Sequence, residues 1–264
     1  MTTRMTVHRL NLLIANGDVE AVRTAIAAAP QLLTRTVARD GEGGWTPLHV
    51  AVAEGREDVV RVLVAAGADL TARTERSRTP LHVALRHARS LVAPLRELGA
   101  VLDAPSAAYL DEVDQLERAL ADGAPPTGDL LTWAAHGGAA GTTRLLLDRG
   151  ADVDGGALHA AAGRSRLELV RVLLAAGADV DRREPDSGRT PLHAAVAAGT
   201  DGDAPEVVRI LLAAGADIDA TTNDGATALD IGRVAAARAR HDGNGRATSG
   251  DALVDLLVAH GASD

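Results

Sequence analysis

The feature of this sequence that most constrains its fold is a short motif that returns at regular intervals. Thr-Pro-Leu-His occurs at residues 46–49, 79–82 and 190–193, and its first two copies lie 33 residues apart. The dipeptide Gly-Ala also recurs, at positions 67–68, 99–100, 123–124, 150–151, 177–178, 215–216 and 261–262. A period of this length is typical of proteins built from stacked copies of one small structural unit. The sequence therefore predicts a repeat protein and not a domain with a single central core.

Residues 46–69 indicate what one unit looks like. Thr46 is a good helix N-cap, and Pro47 stands at the first helical position, where its missing N–H does no harm. Gly55 ends this short helix, and a second helix with an apolar stripe of Val and Leu runs on to Gly67. Each predicted helix has about ten residues, which is too few to persist alone in water, so stacking has to stabilise it.

This pattern resembles the ankyrin repeat, in which a β-turn finger precedes a helix, a turn and a second helix, and Thr-Pro-Leu-His-x-Ala-Ala opens the first helix. The resemblance covers nearly the whole chain. It implies an all-α ankyrin-repeat solenoid of about 7–8 helix-turn-helix units with short β-turn fingers, capped at both ends and monomeric. The array covers residues 1–264 as a single domain, with 1–104 and 105–264 as possible sub-arrays.

One unit, near residues 105–128, is truncated and lacks Thr-Pro-Leu-His. We expect it to keep only its second helix, with Tyr109 filling the space of the missing first helix. Its sequence aligns with the N-terminal unit, so that Asp111 stands where Gly17 stands. This unit is also where the array divides if it forms two sub-arrays.

Two later Gly-Ala spacings, of 38 and 46 residues, predict insertions between paired helices. The inserted segments lie near residues 200–205 and 238–250 and are rich in Gly, Asp and small residues. Mobile surface loops are the expected structure, and a part in binding stays open.

Composition excludes several kinds of chemistry. The chain has no Cys and no Lys, which removes disulfides, thiol nucleophiles, Schiff-base lysines and phosphate-binding lysines. No run approaches the roughly 18 apolar residues that span a bilayer. The net charge of −9 argues against a nucleic-acid or anionic membrane partner and leaves the cytoplasm as the expected location. The bias towards Ala, Arg and Gly favours a GC-rich, bacterial source.

Potential catalytic and metal-binding residues have a structural explanation. Four of the nine His residues occupy the motif position: His49, His82, His159 and His193. The resemblance implies that each forms hydrogen bonds between its own turn and a neighbouring one. Asp111, Glu112 and Asp114 could be combined into a carboxylate pair, but nothing in the sequence marks a cleft around them. No phosphate loop or nucleophile elbow is present, so we expect no enzyme activity, no metal site and no cofactor.

In ankyrin arrays the finger tips and first helices line a concave groove, and the residues beside the finger glycine and after Ala-Ala vary. The resemblance assigns partner binding to Trp45, Glu54, Arg76, Arg78, Arg86, His87, His136 and Arg189. Further variable positions are Ala53, Glu75, Arg164 and Asp186. A purely structural role for Trp45 is an equal alternative. Because four of the assigned residues lie in the third repeat, we expect the partner to dock there.

The charge of the chain is unevenly spread. Residues 71–100 hold six Arg against two Glu, whereas residues 101–130 hold seven acidic residues against one Arg. Ordinary surface charge and a bipolar partner surface both account for this pattern.

The predicted function is a protein–protein interaction module that binds another protein through the concave groove. One alternative is a regulator or inhibitor of an enzyme or toxin encoded by a neighbouring gene. Another is small-molecule binding or catalysis in the groove, which a closed apolar pocket around Trp133 and His136 would favour.

Overall fold

Helices make up most of the chain, and they come in pairs joined by short turns. The computed structural model describes residues 5–199, 203–242 and 249–262. These residues form eight successive helix pairs, two short 3-10 turns and one two-stranded sheet. The chain divides into two units, Met1–Leu102 (unit 1) and Asp103–Asp264 (unit 2). A single array or two sub-arrays in solution stays a prediction.

Unit 1 contains three helix pairs, and within it the first helices pack on one another in chain order. Its helices are α1 Val7–Asn16, α2 Val19–Ala28, α3 Pro47–Ala53, α4 Glu57–Ala65, α5 Pro80–His87 and α6 Val92–Glu97, with 3-10 turns at Pro30–Thr34 and Arg89–Leu91. The finger of the second repeat is an antiparallel hairpin of β1 (Val37–Arg39) and β2 (Glu42–Trp45). Its turn, Asp40-Gly41, has φ values of 51° and 74°, which a two-residue hairpin turn requires.

Unit 2 contains five helix pairs, and in it too the first helices and the second helices each form a continuous stack. Its helices are α7 Ala104–Tyr109, α8 Val113–Ala121, α9 Gly128–Gly137, α10 Ala140–Asp148, α11 Ala157–Ala162, α12 Leu167–Ala175, α13 Pro191–Ala197, α14 Ala204–Ala213, α15 Ala228–Asp242 and α16 Ser249–Ala259. The predicted all-helical repeat architecture of seven or eight units is therefore confirmed in the described part of the chain.

Small side chains allow the first helices to stack closely. Fully buried alanines lie on successive first helices: Ala51, Ala84, Ala107, Ala134, Ala161 and Ala195. Leucines such as Leu63 and Leu173 fill the space between the first and second helices and are also fully buried. Packing of this density leaves little room for a larger residue at the alanine positions.

The histidine of the Thr-Pro-Leu-His motif caps its own helix and reaches the next repeat. Thr46 Oγ1 accepts a hydrogen bond from the His49 amide at 3.4 Å, and His49 Nδ1 accepts one from the Thr46 amide at 3.3 Å. His49 Nε2 lies 3.0 Å from the carbonyl oxygen of Arg78 in the next finger. Because Nδ1 accepts a hydrogen bond from the backbone N–H, Nε2 carries the ring proton and donates a hydrogen bond to that carbonyl.

The same link recurs in unit 2. His159 Nε2 lies 2.9 Å from the carbonyl oxygen of Arg189, and His193 Nε2 lies 3.3 Å from that of Ala226. The predicted structural role of the motif histidines is confirmed at these positions. Burial lowers the pKa of His49 and of His193, and the hydrogen bonds to backbone groups only partly offset that effect.

Asp111 occupies a backbone position that usually favours glycine. Its φ is 60°, close to the 73° of Gly17, and this agreement confirms the predicted alignment of the two repeats. The Asp111 carboxylate accepts hydrogen bonds from the amide of Thr142 at 2.7 Å and from its hydroxyl at 3.3 Å. The side chain therefore ties its repeat to α10 and is held in a structural role.

The prediction that the repeat near 105–128 lacks its first helix is wrong. Helix α7 is present because Asp103 caps it in place of threonine, accepting hydrogen bonds from the Ser106 amide at 3.2 Å and hydroxyl at 2.7 Å. Pro105 stands in the first turn, as in the regular motif. The repeat is short because no finger lies between Gly99 and Asp103. Tyr109, at the end of α7, is buried in the core of unit 2.

Parts of the two predicted insertions lie outside the described residues, namely 200–202 and 243–248. The flanking parts are helical: Ala204 begins α14, and α15 continues to Asp242. The expectation of loops is therefore wrong for residues 204–205, 238–242 and 249–250, which belong to α14, α15 and α16.

The buried motif histidines predict how stability depends on pH. The folded chain holds the pKa of His49 and His193 below the ordinary value of 6.5, so below that pH the unfolded chain binds more protons. Their contribution is complete above pH 6.5 and is lost as the pH falls below it. We expect the free energy of unfolding, measured by urea titration, to be lower at about pH 5.5 than at about pH 7.5. In a His49→Gln/His193→Gln chain, the free energy of unfolding should differ less between these two pH values. An unchanged difference would show that the two histidines do not cause the pH dependence.

The aspartate cap of α7 gives a second prediction. Asp103→Ala leaves the Ser106 amide without its partner, and we expect it to lower the free energy of unfolding of unit 2 by about 1 kcal/mol. Trp133 fluorescence in a Trp45→Phe background reports on unit 2, because these are the two tryptophans of the chain. The exposed Asp148 supplies the control, since Asp148→Ala should change stability by less than about 0.5 kcal/mol. Equal effects of the two substitutions would argue against the cap.

Candidate functional site

A buried carboxylate joins the fingers of the second and third repeats. Glu42, on β2, accepts hydrogen bonds from the Thr74 hydroxyl and, at 3.1 Å, from the Arg76 amide. Its second oxygen lies 3.4 Å from an Arg78 guanidinium nitrogen. Burial by itself would raise the pKa of Glu42, but these hydrogen bonds and the nearby arginine charges outweigh it and lower the pKa. Arg78 therefore holds two fingers together besides facing the surface.

Trp45 belongs to the core of unit 1. Its side chain is 2% exposed, and its ring centroid lies 6.1 Å from that of His49. Arg39 lies over the indole ring at 5.5 Å from the centroid, and its guanidinium bonds the Glu54 carboxylate at 2.8 Å. The structure thus favours the structural alternative for Trp45, and Glu54 is half-buried in an ion pair. We leave Trp45 out of the proposed binding surface.

The remaining predicted residues of unit 1 are exposed, and those at the end of α5 belong to a basic cluster. Arg76, Arg86 and His87 are all exposed, the last two at the end of α5. The pKa of His87 is lowered by partial burial and then by the positive charges of Arg86, Arg39 and Arg78. Charges that influence one imidazole in this way lie close together. The structure thus brings Arg78, Arg86 and His87 into one patch and adds Arg39, which the sequence analysis had not assigned.

In unit 2 the predicted residues line an open cavity of about 540 Å³. Its walls come from the ends of α9, α11 and α13 and from the finger that precedes α13. His136, Arg164 and Arg189 all contribute, so three variable positions meet in one concavity. Arg164 Nε donates a hydrogen bond to His136 Nδ1 at 3.0 Å. Alanines, including Ala160, Ala194 and Ala197, form much of the floor.

A second cavity, of about 280 Å³, continues this surface along the first helices of unit 2. It shares Arg189 and Ala197 with the first cavity. Helix α15 supplies its other side through Ile231, Val234 and Arg238. We call the surface formed by the two cavities the unit 2 groove.

Sequence reasoning missed the floor of this groove although the signal was present. Ala197 and Ala198 stand seven and eight residues after the motif threonine, Thr190. Ala53 and Glu54 stand at the same distance from Thr46, and the resemblance makes both positions variable. Val234 and Ala235 hold the same positions after Thr227. They were not assigned because small and apolar residues do not stand out as binding residues, whereas Arg and His do.

The assigned residues fall into two groups, one in each unit. Trp45, Glu54, Arg76, Arg78, Arg86 and His87 lie in unit 1, and His136 and Arg189 lie in unit 2. Docking at the third repeat stays a prediction.

The aspartates that follow Gly-Ala link successive fingers of unit 2. The Asp154 carboxylate accepts a hydrogen bond from the Asp179 amide at 2.9 Å, and the Asp181 carboxylate accepts one from the Asp217 amide at 2.9 Å. Within the described ranges, no group of three or more His or acidic residues has the arrangement of a metal site. In these same ranges no helix has both the length and the apolar character needed to cross a membrane.

Comparison with known proteins identifies the repeat. A family model described as "Ankyrin repeats (3 copies)" matches residues 10–105 and 130–222. Rabankyrin-5 of Mus musculus is 32% identical over 168 residues, which cover 62% of this chain and 13% of the relative. The B-cell lymphoma 3 protein homolog of Mus musculus is 33% identical over 200 residues, which cover 72% of this chain and 41% of the relative. The chain thus spans less than half the length of these curated relatives.

A solved structure, the crystal structure of the ankyrin repeat domain of Bcl-3, described as a unique member of the IkappaB protein family, aligns with 94% of this chain and 97% of its own. Its identity to this chain is 26%, and the TM-score is 0.39.

The buried carboxylate between the fingers of unit 1 gives the third prediction. Glu42→Gln removes the charge that Arg78 and the finger amides contact, and we expect it to lower the free energy of unfolding of unit 1 by about 2 kcal/mol. The probe is Trp45 fluorescence in a Trp133→Phe background. Glu75→Gln is the matched control, because Glu75 is exposed on the neighbouring finger, where it bonds the Gly43 amide. An effect of Glu42→Gln no larger than that of Glu75→Gln would contradict the clamp.

Proposed function

The chain belongs to the ankyrin-repeat family, and we propose that it binds a partner protein through the grooved face of its first helices and fingers and does not catalyse a reaction. Ankyrin repeats are generally protein–protein interaction modules. The observation that carries the proposal is the meeting of His136, Arg164 and Arg189 in one open cavity. These three residues occupy positions that are free to vary in such repeats, so the surface they form can be specific to one partner.

The chemistry of the groove supports binding over catalysis. His159, which lines the cavity, has its Nε2 bonded to the Arg189 carbonyl and its neighbours on α11 fully packed. The Glu184 carboxylate accepts a hydrogen bond from the Ser187 hydroxyl at 2.7 Å. Catalysis requires a reactive group that is poised and shielded from water, whereas these side chains hold the finger in place. The partly buried Trp133 ring packs against Tyr109, with 6.1 Å between ring centroids, at the edge of the core of unit 2.

The basic cluster of unit 1 is the other candidate surface within this function. Arg76, Arg86 and His87 are exposed there, but Arg78 and Arg39 already contact the carboxylates of Glu42 and Glu54. The unit 2 groove is favoured because it adds a concave floor to its charged residues. Concave surfaces with a small apolar floor bury a larger part of a bound segment than an exposed cluster does.

Affinity capture with variants of the full chain tests the proposal. Ala197→Trp places a bulky ring where the two cavities of the groove meet, and we expect it to reduce capture of a specific partner from a lysate of the source organism at least about tenfold. Ala175→Trp is the matched control, since both alanines are exposed and each is the last residue of its helix. Captured proteins are quantified by mass spectrometry.

A third variant, Arg76→Ala/Arg86→Ala/His87→Ala, examines the unit 1 cluster in the same experiment. A partner lost only with this variant would move the binding surface to unit 1. Two outcomes would contradict the proposed function. The native chain could capture no specific partner, or all three variants could capture the same proteins as the native chain.

A further inference from the structure

Two arginines of the unit 2 groove, Arg164 and Arg189, form no ion pair with a carboxylate among the residues that the structure describes. Within the part of the chain that the structure describes, the Arg189 guanidinium forms no ion pair, although its charge contributes to the lowered pKa of the Asp224 carboxylate. Arg164 donates a hydrogen bond to Nδ1 of His136 and not to a carboxylate. Two arginines therefore keep their charge available beside a concave surface, where a carboxylate could accept paired hydrogen bonds from either guanidinium.

The acidic residues that line the groove have local partners. Glu184 accepts a hydrogen bond from Ser187, and Asp230 accepts two from Thr227, at 2.9 Å from the amide and 2.8 Å from the hydroxyl. Both carboxylates are thereby fixed at a finger or at the first turn of a helix. These local hydrogen bonds hold both carboxylates, and no ion pair joins them to Arg164 or Arg189 within the described ranges.

A backbone contact of the finger that precedes α13 holds Arg189 close to Arg164. His159 holds the Arg189 carbonyl at 2.9 Å, so the finger lies against α11. Arg164 follows Gly163, which ends the same helix. The two guanidinium groups therefore project from neighbouring anchored points on the rim of one cavity.

The far end of the groove adds apolar side chains beside the charged Asp230 and Arg238. Val234 is 52% exposed, one of four exposed large hydrophobic residues in the described ranges, and it lines the second cavity together with Ile231. An aliphatic side chain placed there would bury apolar surface that is now in water. The groove thus offers arginines along one part and an apolar contact along the next.

We propose that the occupant of the unit 2 groove is an acidic segment of a partner protein, with carboxylates paired to Arg164 and Arg189 and an aliphatic side chain against Val234. This inference rests on the proposed function and specifies its partner. The net charge of −9 on the chain repels an acidic segment at long range. Salt screens that repulsion beyond about 8 Å at physiological ionic strength, whereas the contact pairs form at shorter distances.

The test uses the full chain and a phage-displayed library of random 16-residue peptides. We expect selection to enrich peptides rich in Asp and Glu that carry at least one aliphatic residue. A synthetic peptide of the enriched sequence should bind Arg164→Gln/Arg189→Gln about tenfold more weakly than the native chain, and its affinity should fall as NaCl is added. Val234→Ser should weaken the same peptide by about threefold.

Arg144→Gln/Arg171→Gln is the matched control, because it removes two exposed charges from the second helices α10 and α12. It should bind the peptide as the native chain does. Circular dichroism and thermal unfolding show that each variant is folded before binding is measured.

Two outcomes would overturn the inference. In the first, binding of the selected peptides is abolished by Ala197→Trp, but the peptides are not acidic or bind the double Arg variant as they bind the native chain. The proposed function would then stand, and the acidic partner would be ruled out. A native chain that sediments as a dimer, and becomes monomeric when Arg164 and Arg189 are replaced, would make a second copy the occupant. Failure of the lysate capture, by contrast, contradicts the proposed function itself.

Discussion

The structure depends on one kind of hydrogen bond, from the imidazole of a motif histidine to a carbonyl oxygen of the next repeat, which His49, His159 and His193 form. In unit 1 it joins His49 to Arg78, and in unit 2 it joins His159 to Arg189. Both acceptors are residues that directly precede a Thr-Pro motif, where the family varies its side chains. The bond that stacks one repeat on the next therefore also fixes the backbone of a residue whose side chain faces the groove. Stability and the position of the binding residues have the same physical origin.

The rings of His49 and His193 are neutral in this arrangement. The motif threonine donates its backbone N–H to Nδ1, which leaves the proton on Nε2 for the neighbouring carbonyl. A protonated ring would lose the acceptor at Nδ1 and place a charge in a buried site. The link between fingers is of another kind in unit 1, where Glu42 and Arg78 meet as ions. Hydrogen bonds between neutral groups therefore link the stacked repeats, whereas the ion pair of Glu42 and Arg78 links the fingers of unit 1.

Local chemistry explains which parts of the fold could be predicted from the sequence. Helix caps, left-handed positions such as Asp111 and the role of the motif histidines depend on neighbouring residues, so the motif and its spacing predict them. Helix α7 was not predicted because Asp103 caps it in place of threonine. Both residue types accept a hydrogen bond from the backbone amide three residues later. The burial of Trp45 depends on a hairpin that brings Arg39 over its ring, which is a contact that no spacing reveals. Of the candidate site, the charged rim was predicted and the alanine floor was not.

The composition of that floor is not explained by folding alone. Ala197 is exposed at the end of α13, and the equivalent positions of other repeats carry Ala53, Arg86 and Val234. Packing therefore tolerates side chains of very different size at this position, and a larger residue at 197 would fill the groove without disturbing the core. Alanine is a strong helix former, but this advantage is a few tenths of a kcal/mol over arginine and holds for the interior of a helix more than for its last residue. A small residue here keeps the groove deep, which favours a surface that receives another chain.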